Sequence, residues 1–217
     1  KNKKQENSIF RRTEFSLIII ILALFLIATF GTANFFTEYN LMNILKQGSI
    51  NGVIAVSATF IIITGGIDLS CGSIVGMSTL MVAMGQARWG MSVGSSLLLA
   101  VVIGIVCGLY NAVIIHELNV PPFIATLGSM TIIRGLIKVI SNAGTIAGLD
   151  SGYTYLGVGS FLKIPYLAWL WLVIVIVGFL ILKYTTFGRN IYLLGSGTEV
   201  AKLCGISIRK VTYLTYG

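Results

Sequence analysis

The sequence predicts an all-α, polytopic transmembrane bundle of about six complete spans plus the start of a seventh. Three observations carry that prediction. Hydrophobic residues make up 56% of the 217 and charged residues only 10%, and the mean hydropathy is +0.92. A water-soluble domain carries about a quarter charged residues to cover its surface. Six apolar runs, taken with their flanks, meet the roughly 20 residues a helix needs to cross hydrocarbon. Small residues stud those runs, with Gly72-x-x-x-Gly76 and Gly104-x-x-x-Gly108 spaced to let helix backbones approach closely in a packed bundle.

The first span covers 16–30. Arg11-Arg12 ahead of it gives the run the look of a secretory leader. The chain is uncharged from Phe15 to Thr37, however, and has no clear A-x-A cleavage site, so the run reads as a membrane helix. Opening on Lys1 rather than Met suggests processing or truncation. A polar connector, 32–47, leads to the second span, 48–64. The third, 70–84, is shorter and rich in Gly and Ser. The fourth, 91–115, is long, the fifth, 123–140, carries Arg134 and Lys138, and the sixth covers 165–182. A seventh begins near Val211.

Net charge is +8, but the cations lie in patches between apolar runs, as loops facing lipid headgroups do, and no basic face interleaved with aromatics exists to bind nucleic acid. Lys and Arg also set the orientation. With the N-terminus in the cytoplasm, 1–14, 65–69, 116–121 and 183–210 lie inside. They hold Lys1, Lys3, Lys4, Arg11, Arg12, Lys183, Arg189, Lys202, Arg209 and Lys210, against Lys46, Arg88 and Lys163 outside. That asymmetry follows the positive-inside rule. Tyr39, Trp89, Tyr153, Tyr155 and Trp169 then fall near the outer boundary, where amphipathic rings settle.

Several chemistries are excluded by what is missing. Cys71, Cys107 and Cys204 are scattered, with no CxxC or Cys/His cluster, and read as small buried hydrophobes rather than metal ligands or disulfide partners. No GxxxxGK[ST] occurs, so the chain holds no P-loop for ATP, and Gly195-Ser196-Gly197 lacks the third glycine and βαβ setting of a dinucleotide fingerprint. His116 stands beside Glu117 without an HExxH pattern, and no catalytic triad is recognisable. An enzyme is not predicted, and neither a cofactor nor a metal.

Three segments hold polar chemistry. In Thr64-Gly65-Gly66-Ile67-Asp68-Leu69-Ser70, paired glycines interrupt an apolar run, and Asp68 and Ser70 suit the N-cap of the next helix. The segment is either a tight cytoplasmic turn capped by Asp68 or an element lining the pathway, since broken helices at membrane depth occur only against protein or a water-filled cavity. Arg134 lies deep in the fifth span with Lys138 one turn on. The pair either lines a polar conduit for solute hydroxyls, or Arg134 pairs with an acceptor such as Asp68 while Lys138 snorkels to the interface. The third segment is the basic stretch 183–210, containing Glu199-Val200-Ala201-Lys202-Leu203-Cys204-Gly205. Glu199 suits the first turn of a short helix and Gly205 its end, while Val200, Leu203 and Cys204 could anchor in a partner's groove.

These segments also carry a resemblance. Asn51-Gly52 with Thr64 through Ser73, Asn111 through Asn119-Val120-Pro121-Pro122-Phe123 to Gly128 and Arg134-Gly135, and Thr186-Phe187-Gly188-Arg189 with Tyr192 and Gly195 stand in order. Together they resemble the ribose-type (sugar and autoinducer-2) permease subunits of bacterial ATP-binding cassette importers, over about 37–217. The resemblance implies one transmembrane permease domain over 1–217, with the C-terminal half of the family pattern missing. It implies that Glu199, Val200, Ala201, Leu203 and Gly205 form an ATPase-coupling motif, E-A-A-x-x-x-G with Val200 in place of Ala. It further implies a cytoplasmic ATP-binding cassette ATPase that holds the ATP, an extracytoplasmic sugar-binding protein and a second permease subunit. Asp68, Arg134 and Lys138 are then candidate pathway residues for a ribose-like pentose, hexose or related small solute crossing the bacterial cytoplasmic membrane. The alternative is a secondary transporter or channel for a small polar solute, which calls for paired acidic residues within the spans.

Overall fold

The computed structural model describes residues 13–32 and 34–217. Lys1, Lys3, Lys4, Arg11 and Arg12, which support the inside placement of the N-terminus, lie outside the described residues. Among those described, helices dominate: α1 (Thr13–Gly31), α2 (Glu38–Ile63), α3 (Cys71–Trp89), α4 (Val93–His116), α5 (Pro122–Ser141), α6 (Ser151–Val158), α7 (Tyr166–Tyr184), α8 (Thr186–Gly195), α9 (Thr198–Leu203) and α10 (Ile208–Tyr216). Two short strands, β1 (Ser160–Phe161) and β2 (Ile164–Pro165), pair antiparallel between α6 and α7.

The boundaries have local causes. Gly90 closes α3 in the left-handed region, and Ser92 then accepts the Ser95 N–H with its hydroxyl to start α4. Pro121-Pro122 opens α5, where a missing N–H costs nothing, and Asn142 ends it at φ 51°. The helix α2 begins ten residues before the predicted span, with the Thr37 hydroxyl accepting the Asn40 N–H, so much of the polar connector is helical. The region 141–164, expected to be external, contains α6 because the Asp150 carboxylate caps it by accepting the Gly152 N–H at 2.7 Å.

Four described helices are long and apolar enough to cross a membrane: α2, α4, α5 and α7. The apolar part of α1, Phe15–Gly31, is shorter, and α3, at 19 residues, is not among the four. The six-span expectation rested on apolar runs alone. Helix α3 is richer in Gly and Ser because it presents Ser73, Met77, Val82, Met84 and Gly85 to other protein rather than to lipid.

Packing divides the chain into Lys1–Gln47 and Gly48–Gly217, the division falling within α2. In the first unit Phe25 meets Phe35 and Phe36 edge-on, with ring centroids 5.0 and 5.8 Å apart. In the second, α3, α4 and α5 pack together, α10 lies against α4, and α7 leads into α8 and α9. Of the two predicted glycine pairs, Gly76, Gly104 and Gly108 face neighbouring side chains or backbone, whereas Gly72 is open. At Gly108 the backbone of Tyr216 comes so near that no side chain fits.

Candidate functional site

A polar seam runs between α3, α4 and α5. Asp68 Oδ1 accepts the Ser70 backbone N–H at 2.7 Å and the Ser70 hydroxyl at 2.6 Å. The Ser70 oxygen accepts Asn111 Nδ2–H at 2.8 Å, and Asn111 Oδ1 accepts the Ser129 hydroxyl. Thr126 donates to the Pro122 carbonyl at 2.8 Å and lies 3.3 Å from the Ile67 carbonyl. Ser70, Asn111 and Thr126 are wholly buried and Ser129 nearly so. Unpaired polar groups are costly where water is excluded, and these satisfy one another across three helices. Helix α3 therefore starts from an Asp68-centred turn in which Ser70 contributes no side-chain cap. Asp68 thus closes a turn onto Ser70, and its other oxygen lies 3.3 Å from the Cys71 thiol.

Arg134 is not paired with Asp68. Its Nε donates to the buried Ser73 hydroxyl at 3.3 Å. Arg134 and Lys138 are both exposed, on the side of α5 away from Ala125, Thr126, Ser129 and Ile133, which are buried. Among the described residues neither has a carboxylate partner within ion-pair distance. The structure thus separates the predicted trio, with Asp68 in the seam and two cations on an open polar face.

The stretch 183–210 packs on an apolar cluster shared with α2, α7 and α10. Ile191, Leu194, Ala201 and Val211 form a buried apolar cluster joined by Phe60, Ile63, Leu182, Phe187, Ile206 and Ile208. The Phe60 and Phe187 rings stack at 6.5 Å. Gly195 lies so close to the Ile63 carbonyl that a Cβ there would collide, which seats α8 against the end of α2. Within α9, Ala201 is 0% exposed, whereas Leu203 is 88% exposed and Val200 and Cys204 also face outward. Glu199 forms an exposed ion pair with Lys202 at 2.9 Å. Gly205, at φ 70°, lets its N–H reach the Lys202 carbonyl and the Ile206 N–H reach that of Ala201, the double bond pattern that stops a helix. The five motif residues thus fall on one short helix and its stop. Cys204, expected to be buried, is exposed, and Cys71 and Cys107 are half-buried.

Sequence reasoning missed Ser129 and Thr126 and gave Asn111 no role. The signal available was a polar side chain inside an apolar run, which must find a partner within the bundle. It also set aside Glu117, whose carboxylate meets Arg209 Nε at 2.9 Å and the Tyr213 hydroxyl at 3.1 Å. A cavity of about 410 Å³ adjoins that contact, lined among others by Gly66, His116, Asn119, Lys202 and Thr212.

A chain with four described helices long and apolar enough to cross a membrane, tied together by a buried hydrogen-bonded seam, has the build of a multi-pass membrane protein. Residues 40–217 match the family described as branched-chain amino acid transport system / permease component, and the chain belongs to that family. It is 36% identical over 209 residues to the ribose import permease protein RbsC of Bacillus subtilis, covering 93% of this chain and 61% of that protein. It is 34% identical to the galactose/methyl galactoside import permease protein MglC of Salmonella typhimurium, covering 90% of this chain and 63% of that protein. The autoinducer 2 import system permease protein LsrC of Salmonella paratyphi B is 28% identical, over 94% of this chain and 58% of its own length. The chain thus spans about three fifths of the length of these relatives. No solved structure matches it.

Proposed function

We propose that the protein is the permease subunit of an ATP-driven, binding-protein-dependent importer of a sugar, a ribose-like pentose, a hexose or a related small solute. It lies in the bacterial cytoplasmic membrane with its N-terminus inside. ATP is hydrolysed on a separate cytoplasmic ATPase, an extracytoplasmic binding protein delivers the solute, and a second permease subunit completes the pathway. The observation that carries this reading is α9, a short helix pinned inward by Ala201 and presenting Val200, Leu203 and Cys204 outward. A solvent-facing apolar edge on a rigid base suits insertion into a partner's groove. The resemblance of the Glu199–Gly205 motif to a coupling motif supports an ATPase as that partner, and the relatives' names, import permeases for ribose and galactose, support the sugar.

The test is Leu203→Asp in the intact permease. The side chain is exposed, so the change leaves insertion and folding intact, while docking then buries an unpaired carboxylate at a cost of several kcal/mol, on the order of 3 or more. Loss of ATPase co-purification and of solute uptake is expected. Retention of both returns the secondary transporter to first place.

For the pathway we propose the open α5 face carrying Arg134 and Lys138. Arg134, anchored to Ser73 and deeper in the span, is the more demanding position. Uptake is expected to fall further in Arg134→Ala than in Lys138→Ala. Native uptake in both removes this face from the pathway.

A further inference from the structure

We infer that the corner where α7 gives way to α8 is a binding site for the headgroup of an anionic phospholipid, held by Lys183, Arg189 and Lys210. The inference rests neither on an ATPase nor on the solute. Thr185 makes the corner: its hydroxyl donates to the Ile181 carbonyl at 2.6 Å and accepts the Gly188 N–H at 3.1 Å. Gly188 then lies against the carbonyl oxygens of Ile181 and Leu182, where a Cβ would collide with backbone. Lys183 follows Leu182 and Arg189 follows Gly188, so this contact brings two cations to one corner. Lys210 arrives from α10 and lines one surface depression with Thr186 and Asn190 of α8. All three cations are exposed.

Depth and charge name the occupant. Exposed Val173, Ile176 and Leu180 carry the lipid-facing surface of α7 as far as Lys183, in its last turn. The Lys183 ammonium sits over the Phe179 and Tyr184 rings, 5.1 and 5.2 Å from their centroids. A cation at the end of an apolar span, beside an exposed tyrosine, stands at the level of lipid phosphates. Lys210 has the same setting in reverse, in the first turn of α10 with exposed Leu214 one turn further on. The segment 179–198 contains no Asp or Glu. Among the described residues, none of the three cations has a carboxylate within ion-pair distance, whereas the other two of 183–210 do. Lys202 holds Glu199 and Arg209 holds Glu117, each at 2.9 Å. Three unneutralised cations at phosphate level attract lipids of net negative charge over zwitterionic ones. Charges that only orient the chain need no common corner.

The experiment reconstitutes the intact permease in bilayer discs of equal parts phosphatidylcholine and phosphatidylglycerol. Native mass spectrometry then reads the lipids it retains on release, and the adduct mass separates phospholipid from free phosphate. Retention is expected to favour phosphatidylglycerol. Lys183→Gln, Arg189→Gln and Lys210→Gln should each lower that preference by about fivefold, the ~1 kcal/mol of one cation near an anionic surface. Lys183→Arg should keep it. Lys202→Gln, which removes the same charge from a paired position, should leave it native. These side chains are exposed, so the melting temperature in phosphatidylcholine alone is expected to stay unchanged. No preference in the native permease, or a preference that survives in the triple variant, overturns the site. An equal loss in Lys202→Gln also overturns it, because the attraction would then belong to the whole basic stretch. So does loss of ATPase co-purification in the three variants with lipid preference native, which would assign the cations to the ATPase instead.

Discussion

Between α3, α4 and α5 the most deeply buried side chains include Ser70, Ser96, Asn111, Thr126 and Ser129, whereas around α9 they are Ile191, Ala201, Val211 and Leu194. The first region has hydrogen-bonded polar side chains in its interior beside Met77, Val82, Ala112 and Ile133, under an apolar outer surface: Leu98, Val102 and Ile132 are all exposed. The second has an apolar interior under a charged one, with Glu199, Lys202, Arg209 and Lys210 outside. Solvent accounts for the inversion. Lipid tails are as apolar as leucine, so burying leucine against leucine gains little there, and helices associate through small residues and hydrogen bonds. In water, apolar burial is the main driving force and polar groups stay outside. The contrast between the two interiors therefore locates the water boundary along the chain, near the α7–α8 junction at Thr185.

The comparison breaks most readily in the second region. Ala201→Asp puts a carboxylate into a closed apolar cluster with no partner, at a cost on the order of 3 kcal/mol or more. Because the cluster lies outside the seam, local unfolding of α8–α10 is expected, with insertion of the preceding helices retained. Limited trypsin digestion reads this directly as new cleavage at Lys202 and Arg209. Unchanged protection would mean that the segment is held by something other than its apolar core.

The same polarity applied to the seam has a smaller effect. Asn111→Leu adds apolar volume of similar size but strands the Ser129 hydroxyl and removes the donor to the Ser70 oxygen, whose own O–H stays on Asp68, and membrane-buried hydrogen bonds contribute only about 1–2 kcal/mol each at most. A lower melting temperature in detergent is expected, with the fold retained. A neutral or stabilising effect would show that shape alone joins these helices and would end the contrast drawn here.

The long spans were legible because an apolar run bounded by Gly, Pro or charge has one reading. The expected 91–115, 123–140 and 165–182 became Val93–His116, Pro122–Ser141 and Tyr166–Tyr184. The short helix at Thr198–Leu203 was legible from its acidic first turn and its glycine stop. The seam was not, because Ser70 lies 41 positions before Asn111 and Ser129 lies 18 positions after it, and only packing brings them together. For the same reason Arg134 was offered Asp68 as a partner, while packing places Ser73 nearer and leaves Asp68 turned toward Ser70. The inward turn of Ala201 beside the outward turn of Leu203 also depends on where α2 and α10 lie, which short-range spacing does not encode.

The mildest test changes no residue, because the three cysteines sample both regions. Cys204 is exposed at the end of α9, and Cys71 and Cys107 are half-buried in α3 and α4. Alkylation requires the thiolate, which forms in water and is suppressed in an apolar setting. A membrane-impermeant maleimide is therefore expected to label Cys204 quickly in inside-out vesicles and hardly at all in right-side-out ones, with Cys71 and Cys107 slow in both. Added ATPase should slow labelling of Cys204 in particular, since the thiol lies beside Leu203 on the edge proposed for docking. Fast labelling from the outside would reverse the orientation drawn from the Lys and Arg distribution. Equal rates at Cys204 and Cys107 would mean that the two regions share one solvent, and the inside-out construction would need another cause.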